Sequence, residues 1–155
     1  MTIPPLRTAV RVVALDGDGR VLLLRYEENG GFWATPGGAL NGTEDHLTAL
    51  RREMCEELGT DGDGVRVDGP VAERTKEFPF QGAIIRQVER YYLARLSARD
   101  VDVARATQPD TIQEYRWWTV GELRATRETV YPADLGDLVT EIVTSGVPER
   151  PVVLR

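Results

Sequence analysis

The chain is short of several things, and each shortage excludes something. Among 155 residues there is one cysteine. Cys55 therefore has no partner for an internal disulfide, and a reducing compartment suits it. It is read as a structural residue. No apolar run approaches the roughly 18 residues of a membrane span, and the first residues lack a signal-peptide core. No membrane partner is expected, and a cytoplasmic location is the default expectation. Basic charge is also scarce: 19 Lys and Arg face 25 Asp and Glu, a net charge of −6. General nucleic-acid binding favours a basic surface, so no nucleic acid is expected as partner. Phosphate ligands would have to be drawn by local groups instead of the whole-molecule field. Repeats and low-complexity segments are missing too. What remains is one domain, large enough for its own core.

The most informative stretch runs from Gly38 to Thr60. It places Glu53, Glu56 and Glu57 within five positions, shortly after Thr35-Pro36-Gly37-Gly38. On a helix, with Glu53 at zero, Glu57 falls at about +40° and Glu56 at about −60°. Their carboxylates converge on one face. Leu47, Leu50, Met54 and Leu58 fall at about +60° to +140°, a greasy face for the core. Glu53 and Glu57 at i, i+4 repel when left alone, and they sit at the carbonyl end of the helix, which disfavours anions. Hard carboxylate oxygens suit Mg²⁺ or Mn²⁺, and Mg²⁺ is usually completed by water and substrate phosphate. Thr43 is the expected N-cap, with Glu44 and Asp45 in the first turn, and Gly59 the expected C-cap. The Pro-Gly-Gly segment is read as a turn that lets backbone approach a ligand closely.

The segment reads G-x5-E-x7-R-E-U-x-E-E-x-G-U, where U is a bulky aliphatic. Gly38, Glu44, Arg52, Glu53, Met54, Glu56, Glu57 and Gly59 fit, and Thr60 departs from the last position. This resembles the Nudix box. The resemblance implies an α/β fold with a mixed sheet sandwiched between helices. It also implies a hydrolase of nucleoside diphosphates linked to a further group X. By the same resemblance, Glu53, Glu56, Glu57 and the Gly38 carbonyl hold Mg²⁺, with Mn²⁺ as the alternative. Arg52 orients a box glutamate, and Glu44 supports the loop-helix junction. The general base comes from the box or from a later glutamate, with Glu77, Glu89 and Glu114 as candidates.

The rest of the chain reads as α/β. Strands are expected at about Arg7–Leu15, Val21–Leu24, Val65–Val67, Val71–Phe78, Ile84–Leu96 and Ile112–Thr119, while Phe32-Trp33-Ala34 leads into the glycine turn and the box helix. Asp16-Gly17-Asp18-Gly19 is a hairpin turn. Residues 97–110 are a polar surface excursion. Thr119 caps a short helix with Glu122 at its capping-box position. Asp134–Ser145 is a last helix with Leu135, Leu138, Val139, Ile142 and Val143 as its apolar residues. The domain is expected over 5–145, and 146–155 as an extended tail whose Val152-Val153-Leu154 could pack on a second copy, leaving a homodimer open.

Substrate residues are harder to read. Phe78, Phe80, Tyr91, Trp117 and Trp118 are candidates for stacking on a base. Arg25 and Arg86 could meet phosphates at strand ends, and Glu114 is a further site candidate. Adjacent Trp117 and Trp118 must face opposite sides of a strand. Relatives that cleave ADP-ribose often carry a proline about sixteen residues past the box. Here Pro70 falls early and Pro79 late. Two alternatives stay open: a non-catalytic nucleotide sensor on this fold, or a hydrolase of a non-nucleotide diphosphate.

Overall fold

The computed structural model describes residues 3–61, 63–107 and 112–155, apart from the side chain of Gln113. It is built on nine strands and three α-helices among the described residues. The strands are β1 (Leu6–Leu15), β2 (Val21–Tyr26), β3 (Phe32–Ala34), β4 (Gly37–Ala39), β5 (Val67–Phe80), β6 (Ala83–Arg95), β7 (Ile112–Trp118), β8 (Val130–Tyr131) and β9 (Val152–Leu154). The helices are α1 (His46–Leu58), α2 (Val120–Ala125) and α3 (Leu135–Ser145).

One mixed sheet runs β8-β3-β2-β1-β6-β5-β9, with β4 added to β1 and β7 to β2. β1 and β6 pair in parallel over ten residues, from Leu6 against Arg86 to Leu15 against Arg95. β5 and β6 form a long antiparallel hairpin that ends in Gln81 and Gly82. Both of those residues have positive φ, 50° and 81°, as a two-residue hairpin turn of matching twist requires. The strand thus extends through Pro79 and Phe80, past the Phe78 end expected from the sequence.

Both faces of β1 are buried, so its alternation sorts two cores instead of core from solvent. Val10, Val12 and Ala14 pack with Leu22 and Leu24 under Leu50, Met54 and Leu58 of α1. Val13 and Leu15 pack with Leu23, Tyr91 and Leu93 under Leu135, Leu138, Val139 and Ile142 of α3. The sheet therefore lies between α1 on one face and α3 on the other. Trp118 is 1% exposed in the α3 core, whereas Trp117 packs against the α1 core. Opposite facing of the two tryptophans is what the strand period demands.

Several expectations are corrected. The N-cap of α1 is Asp45, whose carboxylate accepts from Thr48 N at 2.8 Å, not Thr43. Asp is as good a cap as Thr, and Glu44 is drawn out of the helix by Arg52. Leu47, in the first turn, is 46% exposed beside a shallow depression lined by Asp45, His46 and Arg51. Val143 is 59% exposed. Leu135, Leu138, Val139 and Ile142 already complete the i, i+3, i+4, i+7 face, and Val143 lies against Gly19 of the β1–β2 turn instead. The Thr35–Gly38 segment is not only a turn: Gly37–Ala39 pairs with β1 as β4. Val67 and the 71–78 segment belong to one strand, β5, with a register shift between Asp68 and Ala72, while Val65 and Arg66 precede it. Val152–Leu154 pairs with β5 of its own chain, and Leu154 is buried there. The excursion after Ser97 folds back as two short 3-10 turns onto the end of α1, through Asp102 N to Leu58 O and Thr107 N to Glu56 O. Residues 108–110 of that excursion, and Gly62 of the preceding loop, lie outside the described residues.

Two capping expectations hold. Gly59 ends α1 in the left-handed conformation. Thr119 and Glu122 form a complete capping box on α2. No helix of the described residues is long and apolar enough to cross a membrane.

Candidate functional site

α1 runs along the sheet so that its acidic face looks at β4. Gly37 makes this approach possible. Its φ is +147°, and an added Cβ would stand 2.0 Å from the Val10 carbonyl oxygen. With the chain pressed onto β1 there, Gly37 N points into α1 and donates to Glu57 Oε1 at 2.7 Å. Glu57 Oε2 accepts from the Tyr26 hydroxyl at 3.0 Å. A Cβ on Gly38 would lie 2.5 Å from Glu53 Oε1, so only glycine leaves room for that carboxylate beside the backbone.

Arg52 organises the remaining acids. Its Nε and Nη2 grip both oxygens of Glu44, at 2.8 and 2.9 Å. Its Nη1 donates to Glu53 Oε1 at 3.0 Å and Glu56 Oε2 at 3.1 Å, and Nη2 also reaches the Ala39 carbonyl. One planar cation thus ties the loop before α1 to three glutamates, which a lysine could not do. The hydrogen bond from Arg52 is the main reason Glu44 is held down to about 2.

Glu57 has the opposite fate. Burial, reinforced by the charge of Glu53, pushes its carboxyl up to about 7. Burial likewise raises Glu53, against the pull of Arg52. Burial and Glu57 together keep the Tyr26 phenol far above its ordinary value, so it donates. Two adjacent carboxylates with raised affinity for protons are short of positive charge.

These groups line a cavity of about 490 Å³ with Arg7, Arg11, Glu28, Phe32 and Asn41. A second cavity of about 570 Å³ adjoins it, lined by Arg74, Lys76, Phe78, Gln87, Glu89, Tyr91 and Tyr131 among others. Arg11, Phe32 and Ala34 line both.

The predicted site residues divide accordingly. Gly38, Arg52, Glu53, Glu56 and Glu57 meet in the first cavity, with Glu44 behind Arg52. Phe78 lines the second. Phe80 lies under Arg7, 5.1 Å from guanidinium carbon to ring centre, and lines neither. Arg25 faces Glu128 at 3.5 Å and sits over Trp33. Arg86 is exposed and pairs with Glu77 at 3.5 Å. Glu114, also exposed, stands opposite Arg25 in the β2–β7 ladder. None of Arg25, Arg86, Glu77 and Glu114 lines either cavity. Tyr91 lines the second cavity, while Trp117 and Trp118 line neither.

Sequence reading missed Arg7, Arg11, Tyr26 and Arg74. The signal was there for two of them. Arg7 and Arg11 occupy the same alternation of β1 as Val13 and Leu15. A charge on the buried side of a strand needs a partner or a ligand.

The donor set is oxygen-rich and short of positive charge, which fits a hard divalent cation. Among the described residues no group of three or more His, Cys, Asp or Glu side chains is already placed to hold a metal ion by itself. An open site is consistent with Mg²⁺, which keeps waters and takes substrate oxygens.

A NUDIX domain model matches residues 5–137. The chain belongs to the NUDIX domain family. Proteins of this family are typically divalent-metal dependent. The chain is 31% identical to a protein named RNA pyrophosphohydrolase from Dinoroseobacter shibae over 122 residues, 73% of this chain and 76% of that one. Its fold is similar to the MutT protein of Methanosarcina mazei, with a TM-score of 0.68 at 20% identity, covering 96% of this chain and all of that one. It is also similar to a C. elegans Ap4A hydrolase, with a TM-score of 0.65 at 22% identity over 89% of this chain and 96% of that one. The family, its pyrophosphohydrolase activity class and the mixed α/β fold expected from the box are thereby shown.

The raised carboxyls have a consequence for stability. An unfolded glutamate loses its proton near 4.5, and folded Glu57 near about 7. Between these values the native state holds more protons than the unfolded state, so this contribution falls as pH rises through the window. His46, whose pKa is lowered chiefly by burial, works in the opposite sense below about 6.5. The difference between wild type and Glu57→Gln isolates the carboxylate. In EDTA, the stability of wild type relative to that variant should decline from roughly pH 5 to pH 7, and Mg²⁺ should recover it. Thermal melts across pH check this, and a flat difference would contradict the assignment to Glu57.

Proposed function

We propose that this chain is a Mg²⁺-dependent pyrophosphohydrolase, with Mn²⁺ as the alternative ion, that opens a phosphoanhydride bond in a nucleoside diphosphate linked to a further group. The observation that carries the reading is the buried Glu53–Glu57 pair, short of positive charge, in a cavity that Arg7 and Arg11 also line. One set of residues suits a cation and the other suits phosphate oxygens.

Glu53, Glu56 and Glu57, with the Gly38 carbonyl, are the groups that would hold the ion. A bound divalent cation offsets charge on phosphate oxygens and makes a water molecule more acidic. Arg52 fixes Glu53 and Glu56 in place, and Glu44 anchors Arg52. Glu53 and Glu57 are the carboxylates available to take a proton from the attacking water. Glu89 does not suit that role. It accepts four hydrogen bonds, and its carboxyl stays below its ordinary value because two arginines outweigh its burial. Neither Glu77 nor Glu114 lines either cavity.

The adjoining cavity, with Phe78, Tyr91 and Tyr131, supports an aromatic group on the substrate. This favours a nucleotide over a prenyl diphosphate. The relative's name adds a second reading, a 5′-phosphorylated RNA end. That substrate would need only its terminal phosphates and first base in the cleft, so the acidic net charge does not oppose it.

The test is turnover with Mg²⁺ and with EDTA. The panel comprises nucleoside triphosphates, dinucleoside polyphosphates, ADP-ribose, nucleotide sugars, a prenyl diphosphate and a 5′-triphosphorylated RNA oligomer. Metal-dependent cleavage of a nucleotide or of the RNA end is the expected result, and which of them is preferred decides between the readings. Cleavage of nothing, with a nucleotide still raising the melting temperature, would replace hydrolase by sensor.

A further inference from the structure

Among the described residues, Arg11 is the only charged one that lines both cavities. It stands where a diphosphate would pass from one to the other. An arginine side chain there is long and free to rotate unless something holds it. The holding group is Glu89 on β6, between β1 and β5. Glu89 is 3% exposed. Its Oε2 accepts from Arg11 Nε at 3.0 Å and from Gln87 Nε2 at 3.1 Å. Its Oε1 accepts from Arg74 Nη1 at 2.8 Å and from the Tyr91 hydroxyl at 3.2 Å. Arg11 Nη1 also reaches the Thr35 and Gly37 carbonyls, at 3.4 and 3.3 Å. Two of its nitrogens are thus committed on the protein side. Among the described residues, Nη2 makes no hydrogen bond and remains for a ligand.

We infer that Glu89 is a positioning residue for diphosphate binding, acting through Arg11, which it holds at the junction of the two cavities. This rests on the pyrophosphohydrolase reading and adds to it the group that presets the phosphate contact. A buried carboxylate filled by four donors has no spare capacity for catalysis, but it fixes both arginines in one geometry. A guanidinium fixed before binding loses little freedom when it meets phosphate.

The expected effect of removing Glu89 has an unusual sign. Removing a negative charge near a phosphate site should, by simple Coulomb attraction, tighten anion binding. If Glu89 positions Arg11, its loss should weaken binding instead. Glu89→Gln keeps the side-chain size but turns an amide nitrogen towards two donors, so part of the network must break.

The experiment is calorimetric titration of the full chain with inorganic imidodiphosphate, which resists hydrolysis, in MgCl₂. Glu89→Gln should raise Kd about tenfold, the loss of one charge-assisted contact. In an Arg11→Ala background the same substitution should change Kd by less than about twofold, because its route is gone. Arg11→Lys, which keeps charge without the fork, should weaken binding like Glu89→Gln. A merely structural role would lower the melting temperature and the binding stoichiometry but leave Kd of the folded fraction unchanged. Unchanged or tighter binding by Glu89→Gln, or full additivity with Arg11→Ala, overturns the inference. Failure of wild type to hydrolyse any diphosphate would count against the pyrophosphohydrolase reading alone, since the Kd comparison needs no turnover.

Discussion

Glu57→Gln should lower kcat/KM about a thousandfold, the scale seen when a charge-stabilising group is removed from a polar active site, while the melting temperature stays level or rises. The two effects have one origin. Glu57 is buried beside Glu53, and its carboxyl is pushed up to about 7. Keeping that charge costs folding energy in the absence of a cation. Glutamine removes the charge and keeps the shape. Its amide oxygen still accepts from Gly37 N, and its nitrogen can donate to the Tyr26 oxygen, so neither partner is left unpaired. What disappears is the hard anionic ligand. Loss of activity with gain of stability is the signature of a residue kept for function against folding. Steady-state kinetics in MgCl₂ beside a thermal melt check both halves. Near-normal turnover would contradict the role of Glu57, and unfolding would show that the contacts to Gly37 and Tyr26 matter more than the charge.

The second large effect is on the scaffold. Gly37→Ala should destabilise the chain by about 3–5 kcal/mol, the range for strained backbone combined with overpacking. The added Cβ would meet the Val10 oxygen at 2.0 Å and the Arg11 Cα at 2.9 Å. Both obstacles are backbone, so no side-chain rotation relieves them. Separation of β4 from β1 would give up the pairing of Gly37 with Arg11 and of Gly38 with Val10. It would also withdraw Gly37 N from Glu57. Urea denaturation measures the cost, with Gly17→Ala as control, because nothing lies within 4 Å of a Cβ there. A variant at Gly37 as stable as the control would mean that β4 does not sit where the site requires it.

The acidic face of α1 was legible because a helical wheel depends only on local spacing. So was Gly59, since a left-handed cap is a local demand. The cap at the other end of α1 was misread because Thr43 and Asp45 are both acceptable caps locally. The choice depends on Arg52 reaching back eight residues to Glu44. The long apolar strands were legible from their residue types. β8 was not, as Val130–Tyr131 is too short to carry a pattern. The second cavity was opaque for a different reason. Arg11, Arg74 and Glu89 come from three strands, and only the register of β1 with β6 and of β5 with β6 brings them together. Sequence reading offered Glu89 as a base because it sees a carboxylate but not the donors around it. It offered Arg25 and Arg86 because an arginine in a strand signals a partner without saying which. Here the partners are Glu128 and Glu77, and neither lines a cavity.

If Glu53, Glu56 and Glu57 form a divalent-cation site, direct binding tests it without any choice of substrate. Mn²⁺ titration followed by electron paramagnetic resonance, with Mg²⁺ as competitor, should show saturable binding to wild type. Affinity should be at least about tenfold weaker for Glu57→Gln, the loss of one charged ligand. Equal Mn²⁺ binding by wild type and by the Glu53→Gln, Glu56→Gln and Glu57→Gln variants would contradict the account.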